Sequence, residues 1–590
     1  MITNLCTPGI ILILGSLLVP YFQGRAKWVY LMLLPLAAGA VLLSWTPDTS
    51  NIVRFWGYEL NLSRVDKLSL VFGYVFCIMT LVSVLFALHV RDNLQHVASL
   101  IYAGSTLGVV FAGDFLTLYI FWEIMAVSSV FLILASRSRQ AKDAGFRYVL
   151  MHIFGGLLLL AGIVLYAQET GSLEFAQIGL NGAGSWLIFL GIALNAAAVP
   201  LHAWLPDAYP MGTPTSTVFL SAFTTKSAVY LLARCFPGAE ILIWVGAVMV
   251  VVPIVYAFLE NDIRRLLAYS LLNQAGFMFC GIGIGTALAL NGAIAHAFCC
   301  VLYMAVLFMA AGVVLDRTGT ARITELGGLY KSMPATCIFC IIGAASISAF
   351  PMFSGFVSKS MVISAAGHEH MAVLWPFLQL ASAGAVFHAG VKLPYATFFG
   401  TDSGLRPREG SWNMQIAMGL TAFLCVFIGV FPGWLYVMLP FSVDYVPYTG
   451  AHVLQQLQLL GFGGLGLYAA LHFGLYPAEA RSINLDVDWV YRKLGSAACS
   501  FLDWSLNGVN ALAEEGMRAF ARGLGRAVQA FPVSFLMFFG VNIWLLMGLT
   551  GRKLEMKKRM LVRDMRAGTM PIGFGAGIAT LFIFVVYIMT

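Results

Sequence analysis

Residues 200–234 read PLHAWLPDAYPMGTPTSTVFLSAFTTKSAVYLLAR. Pro206, Pro210, Gly212 and Pro214 crowd the first part, which reads as loop. The second part is apolar and helical, yet it carries Lys226 near its middle. A lysine at the centre of a bilayer-spanning helix costs roughly 2.5–3.5 kcal/mol on insertion scales, so this one demands a partner and a reason. Proline and glycine beside it mark a helix broken inside the membrane. Such a break holds only where protein or water satisfies the freed backbone groups.

The rest of the chain supplies the membrane. Of 590 residues, 60% are hydrophobic and 10% charged. Apolar runs recur from 8–23 to 571–589. At about 20 apolar residues per crossing they predict an all-α polytopic membrane protein of about 16 transmembrane helices. The first run lacks a basic leader and is expected to stay as a helix. Basic loops at Arg25–Lys27, Arg91–His96, Arg137–Arg147, Arg264–Arg265, Arg317–Lys331 and Arg406–Arg408 each follow an odd-numbered run. The positive-inside rule places them in the cytoplasm and the N-terminus outside. Residues 46–67 are a mixed exception. The alternation fails at Lys553–Arg566, so either Leu494–Ala513 crosses the membrane or one late run does not.

The net charge of +7 is spread over short loops and does not point to nucleic acid. Cys337 and Cys340 form a CxxC inside the apolar run CIFCIIGAA and read as small core residues, because a metal or cluster site wants a second pair. No phosphate loop or haem-attachment motif is present, and no redox cofactor or metal is expected in this chain. Residues 477–530 are the least apolar, and the stretch through Glu514, Glu515, Arg518, Arg522 and Arg526 is amphipathic. It reads either as an interfacial helix or as a strut along a neighbouring subunit.

Four segments carry a resemblance: HAWLPDA (202–208), TKSAVYLLAR (225–234), the FWE of FLTLYIFWEIMAVSSVFLI (115–133), and NDIRRLLAYSLLNQAGF (261–277). Together they resemble the antiporter-like subunits of respiratory complex I, membrane-bound hydrogenases and multisubunit Mrp-type cation/proton antiporters. The resemblance covers roughly residues 60–440. It implies two inverted repeats, each with a broken helix. FPMFSGFVSK (350–359) echoes the break before Lys226 with its own Pro351, Ser354 and Lys359. The chain then divides into N-terminal helices (1–95), a core of two repeats (96–440) and C-terminal helices with the amphipathic connection (441–590).

The resemblance also implies a line of buried charges that moves protons. Glu123 matches the glutamate that faces the lysine matched here by Lys226, and the two would trade charge states as a pair. The alternative is a static ion pair that fixes helix packing. Lys359 matches the lysine that ends the relay near the outside; otherwise it snorkels to the interface. Between them AIAHAFCCVLYMAVLFMAAG (293–312) resembles a helix that bears His, His and Lys at four-residue spacing. Here those positions are His296, Cys300 and Met304, so the central step rests on His296 alone. His202 and Lys392 are weaker candidates, as is His388. Asp207 reads as loop shaping and His152 as a core histidine.

The expected function is therefore a proton-translocating membrane subunit of a multisubunit redox-driven complex, of the NADH:quinone oxidoreductase or hydrogenase type. It would sit in the cytoplasmic (inner) membrane among other membrane subunits and lipid, with no enzyme active site of its own. Membership of an Mrp-type Na+/H+ antiporter, with Na+ as a possible cargo, and a docking role that pumps nothing are the competing readings.

Overall fold

The computed structural model describes residues 7–47, 49–55, 58–473 and 486–566, together with 580, 583 and 587. Contacts divide the chain into Met1–Asp488 and Trp489–Thr590.

The first unit is helical. It opens with α1 (Pro8–Ser16), α2 (Gly24–Ser44), α3 (Lys67–Ala87), α4 (Asn93–Phe111), α5 (Phe115–Leu134), α6 (Arg139–Thr170) and α7 (Ala183–Asn195). After α7 come the short α8 (Trp204–Ala208), then α9 (Ser216–Ala222) and α10 (Thr224–Cys235), which abut at Phe223. The chain continues through α11 (Glu240–Leu259), α12 (Ile263–Ile284), α13 (Ala287–Thr318), α14 (Pro334–Ile347) and α15 (Ser354–His368). Next is α16 (Leu374–Ala385), which runs on through π-helical turns at Val386–Lys392 and Tyr395–Phe399. The unit ends with α17 (Trp412–Val430), α18 (Gly433–Met438) and α19 (Gly450–His472).

Ten of these helices are long and apolar enough to cross a membrane, and α7, α14 and the broken segments are shorter. The protein is a multi-pass helical membrane protein, as the hydropathy requires; the expected total of about 16 crossings counts shorter runs as well. One departure from an all-α fold occurs in the mixed stretch 46–67. There β1 (Ser50–Phe55) and β2 (Tyr58–Arg64) pair antiparallel, Ser50 opposite Arg64, with a bulge between Asn51 and Ile52. α19, expected with the C-terminal part, packs on α16 within the first unit.

Local chemistry sets the helix ends. Asp66, Asp92, Asp114, Ser138, Asp262 and Thr286 are side-chain N-caps of α3, α4, α5, α6, α12 and α13. Gly171, Gly285 and Gly319 close α6, α12 and α13 in the left-handed conformation. The loops then gather as the charge alternation demands. At one end Lys27 Nζ donates to Asn93 Oδ1 (2.8 Å), Gln95 Nε2 to Thr215 Oγ1 (2.6 Å), and Arg264 Nη2 to the Gly212 carbonyl (2.7 Å). Arg264 is therefore buried as a clamp on the 212–217 turn, not merely an interfacial anchor. At the other end Arg234 grips Asp66 with two hydrogen bonds (2.7 and 2.8 Å), and Phe115 N–H donates to the Leu173 carbonyl (2.8 Å).

α13 is the axis of the unit. It packs on α3, α9, α10, α12, α14, α15 and α17, and from Ala289 to Val314 its residues are buried. A helix apolar all round can be enclosed in this way. The polar residues on α12 and α13 are thus committed to the interior.

The two breaks match in backbone detail. α14 ends on Ser348 (φ −74°, ψ −2°), and Ala349 follows at φ 55°. α7 ends on Ala196 (φ −75°, ψ −2°), and Ala197 follows at φ 57°. In each, the residue after the left-handed alanine donates back into the helix, Ala198 N–H to the Ala193 carbonyl (2.9 Å) and Phe350 N–H to the Ala345 carbonyl (2.9 Å). α7 enters from the end that holds Asp66, and α14 from the opposite end, so the repeats are inverted. The counterpart of the Pro351 break is therefore residues 196–203. The break before Lys226, taken from the sequence as that counterpart, is the lesser irregularity at Phe223 on the next helix.

The second unit holds α20 (Asp488–Leu546, 59 residues) and α21 (Arg552–Arg566). At 1.5 Å per residue α20 is about 90 Å long. Leu494–Ala513 is thus part of one continuous helix, and its side chains are exposed apart from the half-buried Ser505. Of the segment 477–530, residues 477–485 lie outside the described residues, as does the apolar run 571–589 apart from 580, 583 and 587.

Candidate functional site

Lys226, His296 and Lys359 are fully buried. Lys226 Nζ lies 3.3 Å from the Ser221 carbonyl and 3.3 Å from Thr225 Oγ1. Lys359 Nζ lies 2.7 Å from the Ile347 carbonyl and 5.0 Å above the Phe277 ring. Ser221 is in the last turn of α9, and Ile347 ends α14. The last carbonyls of a helix have no intrahelical donor and form the negative end of its dipole. Each break therefore builds the acceptor for a lysine one or two turns beyond it. Lys359 does not snorkel.

Glu123 and Lys226 do not form the expected pair: among the described residues, no ion pair within 4.0 Å joins them. Glu123 is half-buried on α5, near Tyr119, and its carboxylate lies over Gly156 of α6, where a Cβ would collide with it. One side of it borders an otherwise apolar cavity of about 360 Å³ between α4 and α5. The physical reason is local: the Ser221 carbonyl and Thr225 hydroxyl at the α9–α10 junction satisfy Lys226, and the Glu123 carboxylate rests against Gly156 of α6.

Other side chains fill the gap. His152 and Tyr148 share a face of α6, ring centroids 4.0 Å apart. Tyr148 OH is 2.9 Å from Ser129 Oγ and lies beside Thr224. Thr224 Oγ1 is 2.6 Å from Tyr102 OH, and Thr225 next to it touches Lys226.

Beyond Lys226 the line continues on α13. Cys300 lies within electrostatic reach of both Lys226 and Lys359, while Met304 is buried and apolar. His296 Nδ1 is 3.2 Å from Ser358 Oγ, the neighbour of Lys359, and its Nε2 is 3.5 Å from Tyr303 OH. Tyr303 OH donates to Gln274 Oε1 (3.1 Å), Gln274 to Asn273 Oδ1 (2.5 Å), and Asn273 to the Val250 carbonyl (2.6 Å). A cavity of about 70 Å³ adjoins Lys359, bordered by Ser360, Ser364, Gln379, Ser382, His452 and Gln456. It is polar and roomy enough to hold water.

The weaker candidates lie at the margin. Lys392 Nζ donates to the Phe258 and Glu260 carbonyls (2.6 and 3.0 Å) at the end of α11, next to His388, whose Nδ1 is 2.8 Å from the Gly384 carbonyl. Both sit in a π-helical turn, a feature that clusters at functional sites. Arg147 holds Asp207 bidentately (2.7 and 2.9 Å), which fixes the 204–211 turn. His202 is fully buried, and its Nε2 is 3.4 Å from Asp486 Oδ1, while Tyr269 OH donates to Asp486 Oδ2 (2.8 Å). Burial pushes the Asp486 carboxyl up, but the contacts with His202 and Tyr269 outweigh it and hold this group below the ordinary carboxylate range.

Tyr102, Tyr148, Thr224 and Tyr303 carry no motif signal, and Gln274 lies in the 261–277 segment without having been singled out from it. A long apolar helix holding Asn-Gln at 273–274 with a tyrosine on its neighbour is the one pattern that could have flagged a polar chain. The CxxC thiols are buried and unbridged, and among the described residues no three His, Cys, Asp or Glu side chains converge as a metal site would need.

Residues 112–386 match the family described as NADH:quinone oxidoreductase/Mrp antiporter, transmembrane. The chain is 28% identical over 470 residues to the A/B component of a probable K(+)/H(+) antiporter of Rhizobium meliloti, covering 71% of this chain and 46% of that one. It is 28% identical over 362 residues to hydrogenase-4 component B of Escherichia coli, covering 54% and 53%. The chain spans about half the length of these curated relatives. A chain of the solved Mrp complex from Dietzia superimposes with a TM-score of 0.66 at 21% identity, covering 78% of this chain and 96% of that one. Residues 112–386 are thus similar to the transmembrane domain of the NADH:quinone oxidoreductase/Mrp antiporter family, and the matched stretch contains Glu123, Lys226, His296 and Lys359.

Proposed function

We propose that this chain translocates protons as an antiporter-like membrane subunit of a multisubunit redox-driven complex in the cytoplasmic membrane. The observation that carries the reading is the set of fully buried ionisable residues Lys226, His296 and Lys359, with the half-buried Glu123 on α5 at one side and a polar cavity beside Lys359 at the other. Buried ionisable residues are expensive in a membrane and mark ion paths. Here each lysine sits on a backbone carbonyl that accepts from an amine or an ammonium alike, so its proton can leave and return without loss of the contact. His296 meets Ser358, the neighbour of Lys359, and lies within electrostatic reach of both lysines, which supports its place in the relay despite Met304.

The cargo that suits lysines and histidine is H+. A sodium ion needs converging oxygens, and fixed ammonium groups repel it. Redox chemistry would lie in partner subunits, since this chain offers no motif for a cofactor. The core of residues 96–440 would do the work, and His202 and Lys392 would serve the cytoplasmic end. The relatives equally support membership in an Mrp-type antiporter, because one belongs to a probable K(+)/H(+) antiporter and another is a hydrogenase component. A reductant that drives transport favours the first assembly; an imposed Na+ or K+ gradient that does so favours the second.

Lys226→Ala should reduce proton uptake into membrane vesicles at least tenfold with the complex still assembled. Unchanged uptake in an intact complex would leave only a docking role.

A further inference from the structure

Three buried polar atoms near the start of the line lack a hydrogen-bond partner: Glu123 Oε1, His152 Nε2 and Asn195 Oδ1. His152 is 3% exposed and Asn195 1%. Buried polar groups are almost always satisfied, so three orphans in one place ask for a common explanation.

They are in one place because of α6. Gly155 and Gly156 lie three and four residues after His152, and on a helix those two positions flank the first residue one turn on. The glycines leave that turn open. A Cβ on Gly155 would come within 3.0 Å of Asn195 Nδ2, and one on Gly156 would strike the Glu123 carboxylate. So the amide and the carboxylate both descend onto α6 where it has no side chains, one turn beyond His152. His152 faces Asn195 directly. Its ring is packed against Tyr148 (4.0 Å) and Trp204 (4.7 Å). Asn195 is the last residue of α7, at the break that matches Ile347, the residue whose carbonyl holds Lys359.

We propose that Glu123, His152 and Asn195 enclose a water-sized proton site, and that His152 carries the proton from the Glu123 carboxyl towards the hydroxyls of Tyr148 and Thr224 that lead to Lys226. The imidazole accepts one proton from the carboxyl and later gives one up through bound water, so it returns neutral and the carboxylate is left to reload. Asn195 donates and accepts without titrating and so fixes the water for both partners. This assignment rests on the proton-moving reading above and replaces the direct Glu123–Lys226 exchange, for which the two side chains are not paired.

The test is His152→Gln in the assembled complex. Glutamine keeps a hydrogen bond but cannot carry a proton. Proton uptake should fall at least tenfold, and the infrared band of the protonated Glu123 carboxyl, assigned by its loss in Glu123→Gln, should shift. Wild-type uptake, or a Glu123 band that does not move, overturns the proposal. If Lys226→Ala abolishes uptake while His152→Gln does not, the relay assignment fails and the function stands. If Lys226→Ala leaves uptake intact, the function fails, and the Glu123 band still decides whether His152 meets the carboxyl. Should His152→Gln not assemble, Asn195→Leu reads the same band.

Discussion

Lys359 sits where its chemistry costs stability. Its ammonium has one carbonyl and an aromatic face for company, inside a helix that methionine would suit better. An unpaired Ile347 carbonyl would cost about 1–3 kcal/mol. A lysine at mid-membrane depth costs roughly 2.5–3.5 kcal/mol on insertion scales. The two nearly cancel, with a small balance against the lysine. Lys359→Met should therefore assemble with an unchanged or higher melting temperature, while proton uptake falls at least tenfold. Lower stability with uptake retained would make Lys359 a structural cap. The sequence supplied the identity of Lys226, His296 and Lys359 as interior residues, because an ionisable group in an apolar run has few other places to go. It did not supply their partners. Tyr148, Thr224, Tyr303 and Gln274 are ordinary residues whose role comes from which helices face each other.

The elements show the same division. Pro351, Ser354 and Gly355 announce the break between α14 and α15, since proline and glycine interrupt a helix for local reasons. Residues 196–198 are three alanines, the best helix formers, and yet Ala197 is left-handed. L-residues pay roughly 1–2 kcal/mol for that conformation, so tertiary packing must impose it. This is why the sequence placed the first repeat's break one element too late. At the second break Gly355 has no room for a side chain, because a Cβ would run into the Ser346 carbonyl. Gly355→Ala should destabilise the protein by about 1–3 kcal/mol, the usual cost of overpacking. Gly433, in α18, has nothing within 4 Å of its Cβ position. Gly433→Ala should leave the melting temperature within about a degree, consistent with the small effect of open surface sites. Thermal unfolding of the two variants in detergent compares them directly.

Across the whole first unit, segments meet that are far apart in sequence. Asp486, just before α20, joins His202 in the 196–203 break and Tyr269 on α12. Its carboxyl titrates below the ordinary range when folded. A depressed folded value contributes stability that is present above the unfolded value, about 3.9 for aspartate, and is lost as pH falls through the folded one. The latch should thus be constant from pH 8 to pH 5 and open only in stronger acid. Asp486→Asn should mimic the open state at neutral pH. Hydrogen exchange around Tyr269 and His202 should rise in that variant and stay unchanged in wild type between pH 8 and pH 5; equal exchange in both proteins would remove the latch.

Hydropathy alone determined that this chain crosses the membrane many times, because no soluble fold needs so many long apolar runs. Loop charge settled which loops share a side, and the misplaced lysines settled that something polar runs through the middle. Those are one-dimensional properties, written in residue type and spacing. Which carbonyl each lysine rests on, that Glu123 lies on Gly156 of α6 and not on Lys226, and that Asn195 comes to Gly155 one turn from His152 were decided only in three dimensions. Contacts between distant helices depend on how ridges and gaps fit together, and a glycine shows what descends onto it only once its neighbour is in place.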